Sequence, residues 1–347
     1  MVRDRTFELE GPSQAWRERA VEAPREQHRA LIERARCLHQ IEVGPRLAGV
    51  EPPERLRVVA WNTERLKHVE ASADLLRSLE ADVVLLSEVD LGMARSGNRR
   101  NAAELAALLG MTWVYGVEYV ELGLGGGDEQ REHAGAVNRH GLHGNAVLAR
   151  LPLLEPQMLR LEADGAWFTG ERKKQPRVGG RIGVAARVET SEGPIGVLAT
   201  HLESQSDPEH RAGQMRVLLD GLEQIDPDIP WLIGGDLNTN TADDKKRGWQ
   251  QRAVAETPDR LIDPVAYEPL FEVAKRAGYA WRDANTLRVP TQRLHPGEAE
   301  RPLARLDWFL ARDLVCSEPA TIAALDPDGL VLADHEPIAV TVRCAPG

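Results

Sequence analysis

The sequence predicts an α/β protein made of mixed sheets covered by helices. Three observations predict it. Short, almost wholly apolar runs of strand length recur, such as Val83-Val84-Leu85-Leu86 and Trp231-Leu232-Ile233, as expected of strands buried between layers. Helical faces lie between them, as at Val69, Ala73, Leu76 and Leu79. Hairpin-like pairs are mixed with these strand–helix units, as where Ser191-Glu192-Gly193-Pro194 joins two apolar runs.

In chain order, residues 1–50 read as a largely helical extension. Pro24 sits where a first-turn proline is tolerated, and His28, Leu31, Ile32, Ala35 and Leu38 follow at helical spacings. Gly44-Pro45 and Pro52-Pro53 then break the pattern. The extension packs on the main domain or serves as a lid or oligomerisation element. The main domain is expected over residues 55–345. Residues 56–61 form its first strand, 83–86 a second, 101–109 a helix and 112–115 the start of another strand. Residues 121–142, with Gly123, Gly125, Gly126, Gly127 and many charges, read as a long loop of functional type. A strand is expected at 146–148, and a hairpin from strands 183–188 and 195–200. Asp207-Pro208 reads as an N-cap and first-turn proline, with Met215, Leu218, Leu219 and Leu222 as the buried face. Residues 239–305 hold helices and a charged, proline-containing stretch, and runs at 306–310 and 338–342 close the sheets.

Bulk properties narrow the function. The 347 residues suffice for one large domain or two, and 42% apolar content supports a sizeable core. A net charge of −11 argues against passive adhesion to nucleic acid, but leaves room for a nuclease with a local basic cleft or a bound cation. Cys37, Cys316 and Cys344 form neither a disulfide framework nor a zinc spacing, and are expected to be ordinary buried or partly buried thiols. The charged start, Met1-Val2-Arg3-Asp4-Arg5, argues against a secretory signal. No stretch approaches the roughly 18 apolar residues of a membrane span. A cytoplasmic location is the default expectation.

The chemistry is concentrated in five polar clusters, each where a strand gives way to a loop: Trp61-Asn62-Thr63-Glu64, Ser87-Glu88-Val89-Asp90, Thr200-His201-Leu202-Glu203, Gly234-Gly235-Asp236-Leu237-Asn238 and Asp334-His335. The oxygen donors Asn62, Glu64, Glu88, Asp236, Asn238, Asp307 and Asp334, without cysteine, suit Mg²⁺ or Mn²⁺ over zinc. His201 and His335 can donate to a phosphoryl oxygen, and His335 can transfer a proton if a carboxylate orients it. Asp236 is the best base or orienter for an attacking water. Asn238 shares its face if the segment is extended.

Those clusters, in that order, resemble the endonuclease/exonuclease/phosphatase superfamily. It includes type I deoxyribonucleases, abasic-site endonucleases, neutral sphingomyelinases, inositol-polyphosphate 5-phosphatases and a tyrosyl-DNA phosphodiesterase. The resemblance covers residues 55–345 and implies a four-layer α/β sandwich, two mixed sheets flanked by helices. It implies that Asn62 and Glu88 bind the divalent metal, that His201 contacts the scissile phosphate, and that Asp236 and Asn238 position and activate water. Asp307 would lie close to the catalytic centre and support His335, and Asp334 would orient His335 or sit beside the metal. Glu64 stands where some members are acidic, and is a further candidate ligand. Two residues depart from the family pattern: Ser87 where many members carry glutamine, and Trp308 where tyrosine is frequent. Neither removes a catalytic group.

The implied reaction is Mg²⁺-dependent hydrolysis of a phosphodiester by in-line attack of water, tipped slightly toward nucleic acid as substrate. The alternatives are a phospholipid head group or a small phosphorylated molecule. A non-catalytic binding member is the reading from another class, and the intact residue set counts against it. A zinc-type hydrolase is a third. The oligomeric state stays open. Arg95 and Asn98 could grip a second phosphate or an anionic head group, although a solvated loop explains them equally. The run Arg172-Lys173-Lys174-Gln175-Pro176-Arg177, with Arg181, is either a polyanion contact or a solvated loop. Trp167 and Phe168 could stack on a base or cover lipid, or could belong to the core.

Overall fold

The computed structural model describes residues 1–47, 49–169, 174–239 and 258–346. The described elements run β1 (Arg5–Thr6), α1 (Gln14–Glu22), α2 (His28–Arg34), β2 (Ile41–Val43), β3 (Leu56–Arg65), α3 (Val69–Ser78), β4 (Val83–Leu91), α4 (Asn101–Leu109), β5 (Thr112–Glu121), α5 (Gly127–Glu132) and β6 (Leu142–Ala149). They continue with β7 (Leu154–Arg160), β8 (Arg177–Gly179), β9 (Ile182–Thr190), β10 (Gly193–His201), α6 (Pro208–Ile225), β11 (Trp231–Asp236), α7 (Leu270–Arg276), β12 (Asp307–Arg312), β13 (Leu314–Thr321) and β14 (Ile338–Cys344).

These strands form two mixed sheets. One runs β1-β2-β5-β6-β4-β3-β14-β13, with β8 also paired to β5, and the other runs β12-β11-β10-β9-β7. The inner faces meet in one apolar layer, where Val58, Leu85 and Val147 of the first sheet pack with Val184, Val197, Leu232 and Phe309 of the second. The outer face of the larger sheet is covered by Ala73 and Leu76 of α3 and Leu105 of α4. Met215, Leu218 and Leu222 of α6, with Phe271 of α7, cover the smaller sheet. Burying each such side chain stabilises by about 1.5–3 kcal/mol relative to exposing it. The expected sandwich of two mixed sheets flanked by helices is therefore present. Asp207 caps α6 by accepting the His210 N–H at 2.8 Å, and Pro208 opens the helix.

Several elements differ from the sequence-based expectations. Residues 1–50 hold α1 and α2, but also β1 and β2, and β2 pairs antiparallel with β5 (Ile41 opposite Gly116). Ile41 is fully buried, so this short strand is held by the inter-sheet core. The 121–142 segment contains α5, whose Glu129 side chain accepts the Gly126 N–H at 2.8 Å. β13 is a half-buried edge strand whose exposed middle carries Glu318 and Pro319, which hides it from apolar patterning. The three cysteines are free thiols, Cys37 buried and the others half-buried. No helix among the described residues is long and apolar enough to cross a membrane.

Candidate active site

Two of the polar clusters meet Asp307 on one row of the smaller sheet. His201 ends β10, Asp236 ends β11 and Asp307 opens β12, and the three are successive cross-strand partners. Gly235 makes this row possible: its φ is +145°, and a Cβ there would lie 2.0 Å from the Thr200 carbonyl oxygen. Thr291 Oγ1 accepts the Leu306 N–H at 2.9 Å and the Asp307 N–H at 3.1 Å, holding the start of β12.

The larger sheet supplies the other half. Asn62 near the end of β3 is the register partner of Ser87 on β4, which places Glu88 beside it. Both β3 and β4 are irregular at this point, between Asn62 and Arg65 and between Leu86 and Val89. Glu64, Arg65, Leu66, Glu88 and Asn238 all have positive φ. A left-handed non-glycine residue costs on the order of 1–3 kcal/mol, and such strain gathers at functional sites. Trp61 ties this half to the C-terminal cluster, its indole N–H donating to the His335 carbonyl at 2.9 Å.

The side chains converge on Asp236. Asn62 Nδ2 donates to Asp236 Oδ2 at 3.0 Å, and the Asn238 N–H donates to Oδ1 at 2.8 Å. His201 Nε2 stands 3.5 Å and His335 Nε2 3.8 Å from Oδ2. Burial pushes the Asp236 carboxyl up to about 6, partly offset by His335. Burial also opposes a charge on His335, but Asp307 and Asp236 outweigh it, so its ionisation lies well above the usual histidine range. The His335 Nδ1–Asp307 Oδ2 distance is 2.8 Å. His201 is held well below that range by burial and then by Arg181. The two imidazoles near Oδ2 are thus pushed in opposite directions, one toward the neutral and one toward the charged form, beside a carboxyl whose own ionisation is raised.

Not every residue expected in the site reaches it as expected. Glu64 Oε2 is 2.8 Å from His295 Nε2 and accepts the Asp334 N–H at 3.0 Å, so the carboxylate braces the Asp334-His335 turn. Asp334 is half-buried, and its charge adds to the pull on His335. Asn238 is not extended: its φ is +51°, and its Nδ2 donates to the Leu202 carbonyl at 2.9 Å. It orients Asp236 through its backbone.

Arg95 does not face substrate. Its side chain is 0% exposed and holds both oxygens of Asp90 at 2.8 Å, with Glu121 at 3.2 Å. A guanidinium carried into the interior needs such carboxylates, and at 0% exposure it presents no surface to a phosphate. Asn98 ties its loop to the segment ahead of β6, donating to the Val137 carbonyl at 3.0 Å and accepting the Arg139 N–H at 2.9 Å. Asn145 is buried, with Nδ2 on the Ile182 carbonyl at 3.2 Å. Arg177 and Arg181 are interior, and Trp167 and Phe168 are core aromatics. Arg172 and Lys173 lie outside the described residues.

Sequence reading missed the charges beneath the site: Glu118, Glu121, Glu203, His143 and the inward roles of Arg95, Arg177 and Arg181. One signal was there. Every residue of β5 is buried, yet it carries Glu118 and Glu121, and buried carboxylates demand cations. Burial, against the opposing pull of Arg181, leaves Glu118 at about 7.

The donors fit a hard divalent cation. Asn62 and Glu88 offer amide and carboxylate oxygens from adjacent strands, and Glu88 is partly open (21% side-chain exposure) while ion-paired with Arg65. Among the described residues, Asp307 Oδ1 is buried without a hydrogen-bond partner, so one more oxygen is left for a donor or cation. Carboxylate oxygens of Asp236 and Asp307 lie within 4.8 Å of one another and add to the oxygen donors there.

A family model described as Endonuclease/Exonuclease/phosphatase family matches residues 59–322. Among solved structures, an endonuclease/exonuclease/phosphatase from Beutenbergia cavernae is 20% identical, with TM-score 0.55, over 84% of this chain and 72% of that one. A family protein from Leptotrichia buccalis is 12% identical, with TM-score 0.52, over 83% and 99%. The catalytic domain of human Nocturnin, solved with a sulfate anion, is 16% identical, with TM-score 0.51, over 85% and 96%. These likenesses are of fold. No curated protein matches the sequence.

Proposed function

Because the chain belongs to the endonuclease/exonuclease/phosphatase family, we propose that it is a Mg²⁺-dependent phosphodiesterase in which Asp236 activates the attacking water. The observation that carries this reading is the convergence on Asp236 of Asn62, the Asn238 backbone N–H, His201 and His335. The water oxygen forms the new bond to phosphorus, and its proton passes to Asp236. The bond from phosphorus to the leaving oxygen breaks, and the alkoxide takes a proton from solvent. His201, neutral, and His335, charged, donate from Nε2 to the non-bridging oxygens as negative charge builds there. Asn62 and Glu88, with Asp334 as a further candidate, would hold the Mg²⁺ (or Mn²⁺). When bound, the cation offsets phosphate charge and stabilises the leaving oxygen.

A diester fits this charge balance better than a monoester. Asp236 and Asp307 are adjacent in the site and Asp334 acts on His335, and these carboxylates repel a dianion more than a monoanion. The burial of Arg177 and Arg181 removes two cations from the surface that nucleic acid would need. That favours, as a second reading, a phospholipid head group or a small phosphodiester over a long strand.

A panel assay of Mg²⁺-dependent cleavage tests both readings, using single-stranded DNA, duplex DNA, RNA, sphingomyelin and inositol phosphates. The expected result is cleavage of at least one diester that stops on chelation with EDTA. Cleavage of none, cleavage of the inositol phosphate monoesters alone, or hydrolysis sustained by tightly held stoichiometric zinc overturns the proposal.

A further inference from the structure

Arg181 lies just ahead of β9, and its side chain is 2% exposed. Its Nη1 stands 2.8 Å from His201 Nδ1. A guanidinium has donors only, so Nδ1 must accept and the ring proton must sit on Nε2. Nε2 is the nitrogen that faces Asp236 Oδ2, 3.5 Å away. The opposite tautomer would set an N–H against the guanidinium N–H and leave Nε2 with no proton to offer a phosphoryl oxygen.

The guanidinium is itself fixed. Its Nε donates to Glu203 Oε2 at 3.3 Å, and Glu118 Oε2 lies 3.5 Å from Nη1. The Tyr119 ring sits beneath it, 5.6 Å from centroid to Cζ. Glu203 is anchored in turn: Oε2 accepts the Trp167 indole N–H at 2.8 Å, and Oε1 accepts the Gln205 N–H at 2.7 Å. A chain of contacts therefore runs from Trp167 through Glu203 and Arg181 to His201. Glu118 Oε2 stands 3.7 Å from His201 Nδ1, beyond hydrogen-bond reach, whereas the partner of His335 Nδ1 at 2.8 Å is itself a carboxylate, so the second imidazole is built the other way.

We propose that Arg181 is a positioning residue that fixes His201 as the Nε2–H tautomer aimed at the phosphoryl oxygen, and that Trp167 and Glu203 hold Arg181 in place for this. The phosphoryl target rests on the phosphodiesterase reading. The tautomer does not.

Nitrogen-15 correlation spectra of the histidine rings in the full-length protein near neutral pH, with His201 assigned by its loss in His201→Gln, read the tautomer without substrate. The expected result is Nε2–H for His201 in the wild type and loss of that single form in Arg181→Met. In turnover of a cleaved diester, Arg181→Met lowers kcat on the order of 10²-fold with KM little changed, as for removal of one oriented donor. Arg181→Lys, which keeps one cationic donor, restores most of the loss. Trp167→Phe costs about two- to tenfold, the worth of one hydrogen bond. A wild-type His201 that carries its proton on Nδ1, or on both nitrogens, overturns the proposal whether or not any variant folds. So does Arg181→Met with tautomer and kcat both unchanged. Should no diester be cleaved, the phosphodiesterase reading fails and the spectra still decide this one.

Discussion

Asp307 Oδ2 stands 2.8 Å from His335 Nδ1, while Asp307 is also the cross-strand partner of Asp236. One buried carboxylate therefore acts on both neighbours. It holds a proton on the imidazole and raises the cost of ionising Asp236. Splitting two titrating groups in this way assigns one as cationic donor and the other as base.

Asp307→Asn keeps the shape and removes the charge. Without it, the His335 ionisation falls toward the usual histidine range, because burial still opposes the charged imidazole and its strongest anionic partner is gone. The expected outcome is a loss of kcat on the order of 10²–10³-fold. The alkaline limb of the kcat–pH profile should move to lower pH, and steady-state kinetics across pH checks both.

The acidic limb belongs to Asp236. A base works only when deprotonated, so activity falls as pH drops through its pKa, which burial raises to about 6. A cation held nearby favours the carboxylate and moves the limb down, never up. A kcat–pH profile with a single-proton acidic limb at or below about 6, and a plateau above it, is expected. An acidic limb near 8 would contradict the assignment.

Glu88 is expected to govern metal affinity. Glu88→Gln keeps an oxygen donor and removes the charge, which should weaken Mn²⁺ binding on the order of 10–100-fold, since affinity at such sites follows ligand charge. Titration followed by the Mn²⁺ resonance signal measures this without substrate.

Arg95 separates an interior role from a substrate contact. Its removal leaves Asp90 as an unmatched buried charge, and breaking a buried pair costs about 3–5 kcal/mol. Arg95→Met should lower the midpoint of urea unfolding accordingly. A raised KM with unaltered unfolding would mean that the side chain grips substrate after all.

Strand ends made much of this legible in the sequence. His201, Asp236 and Asp307 each stand at the end of an apolar run, so the row they form follows from strand spacing once β10, β11 and β12 pair. Asn238 was less legible, because asparagine tolerates the left-handed conformation that turns its side chain toward Leu202. Local sequence makes Arg95 a loop residue and Arg181 part of a basic run. Their partners, Glu121 and Glu203, lie 26 and 22 residues away in sequence, and only the fold brings them together. β2 is three residues long, too short for alternation to reveal it.

The most direct test of the mechanism is hydrolysis of an aryl phosphodiester with Mg²⁺ by the wild type and by Asp236→Asn, a change that removes the base and keeps the volume. The expected result is a loss of kcat on the order of 10³-fold or more, with the fold intact by circular dichroism. Turnover within about threefold of the wild type would contradict the assignment of Asp236, and with it the mechanism built around that carboxyl.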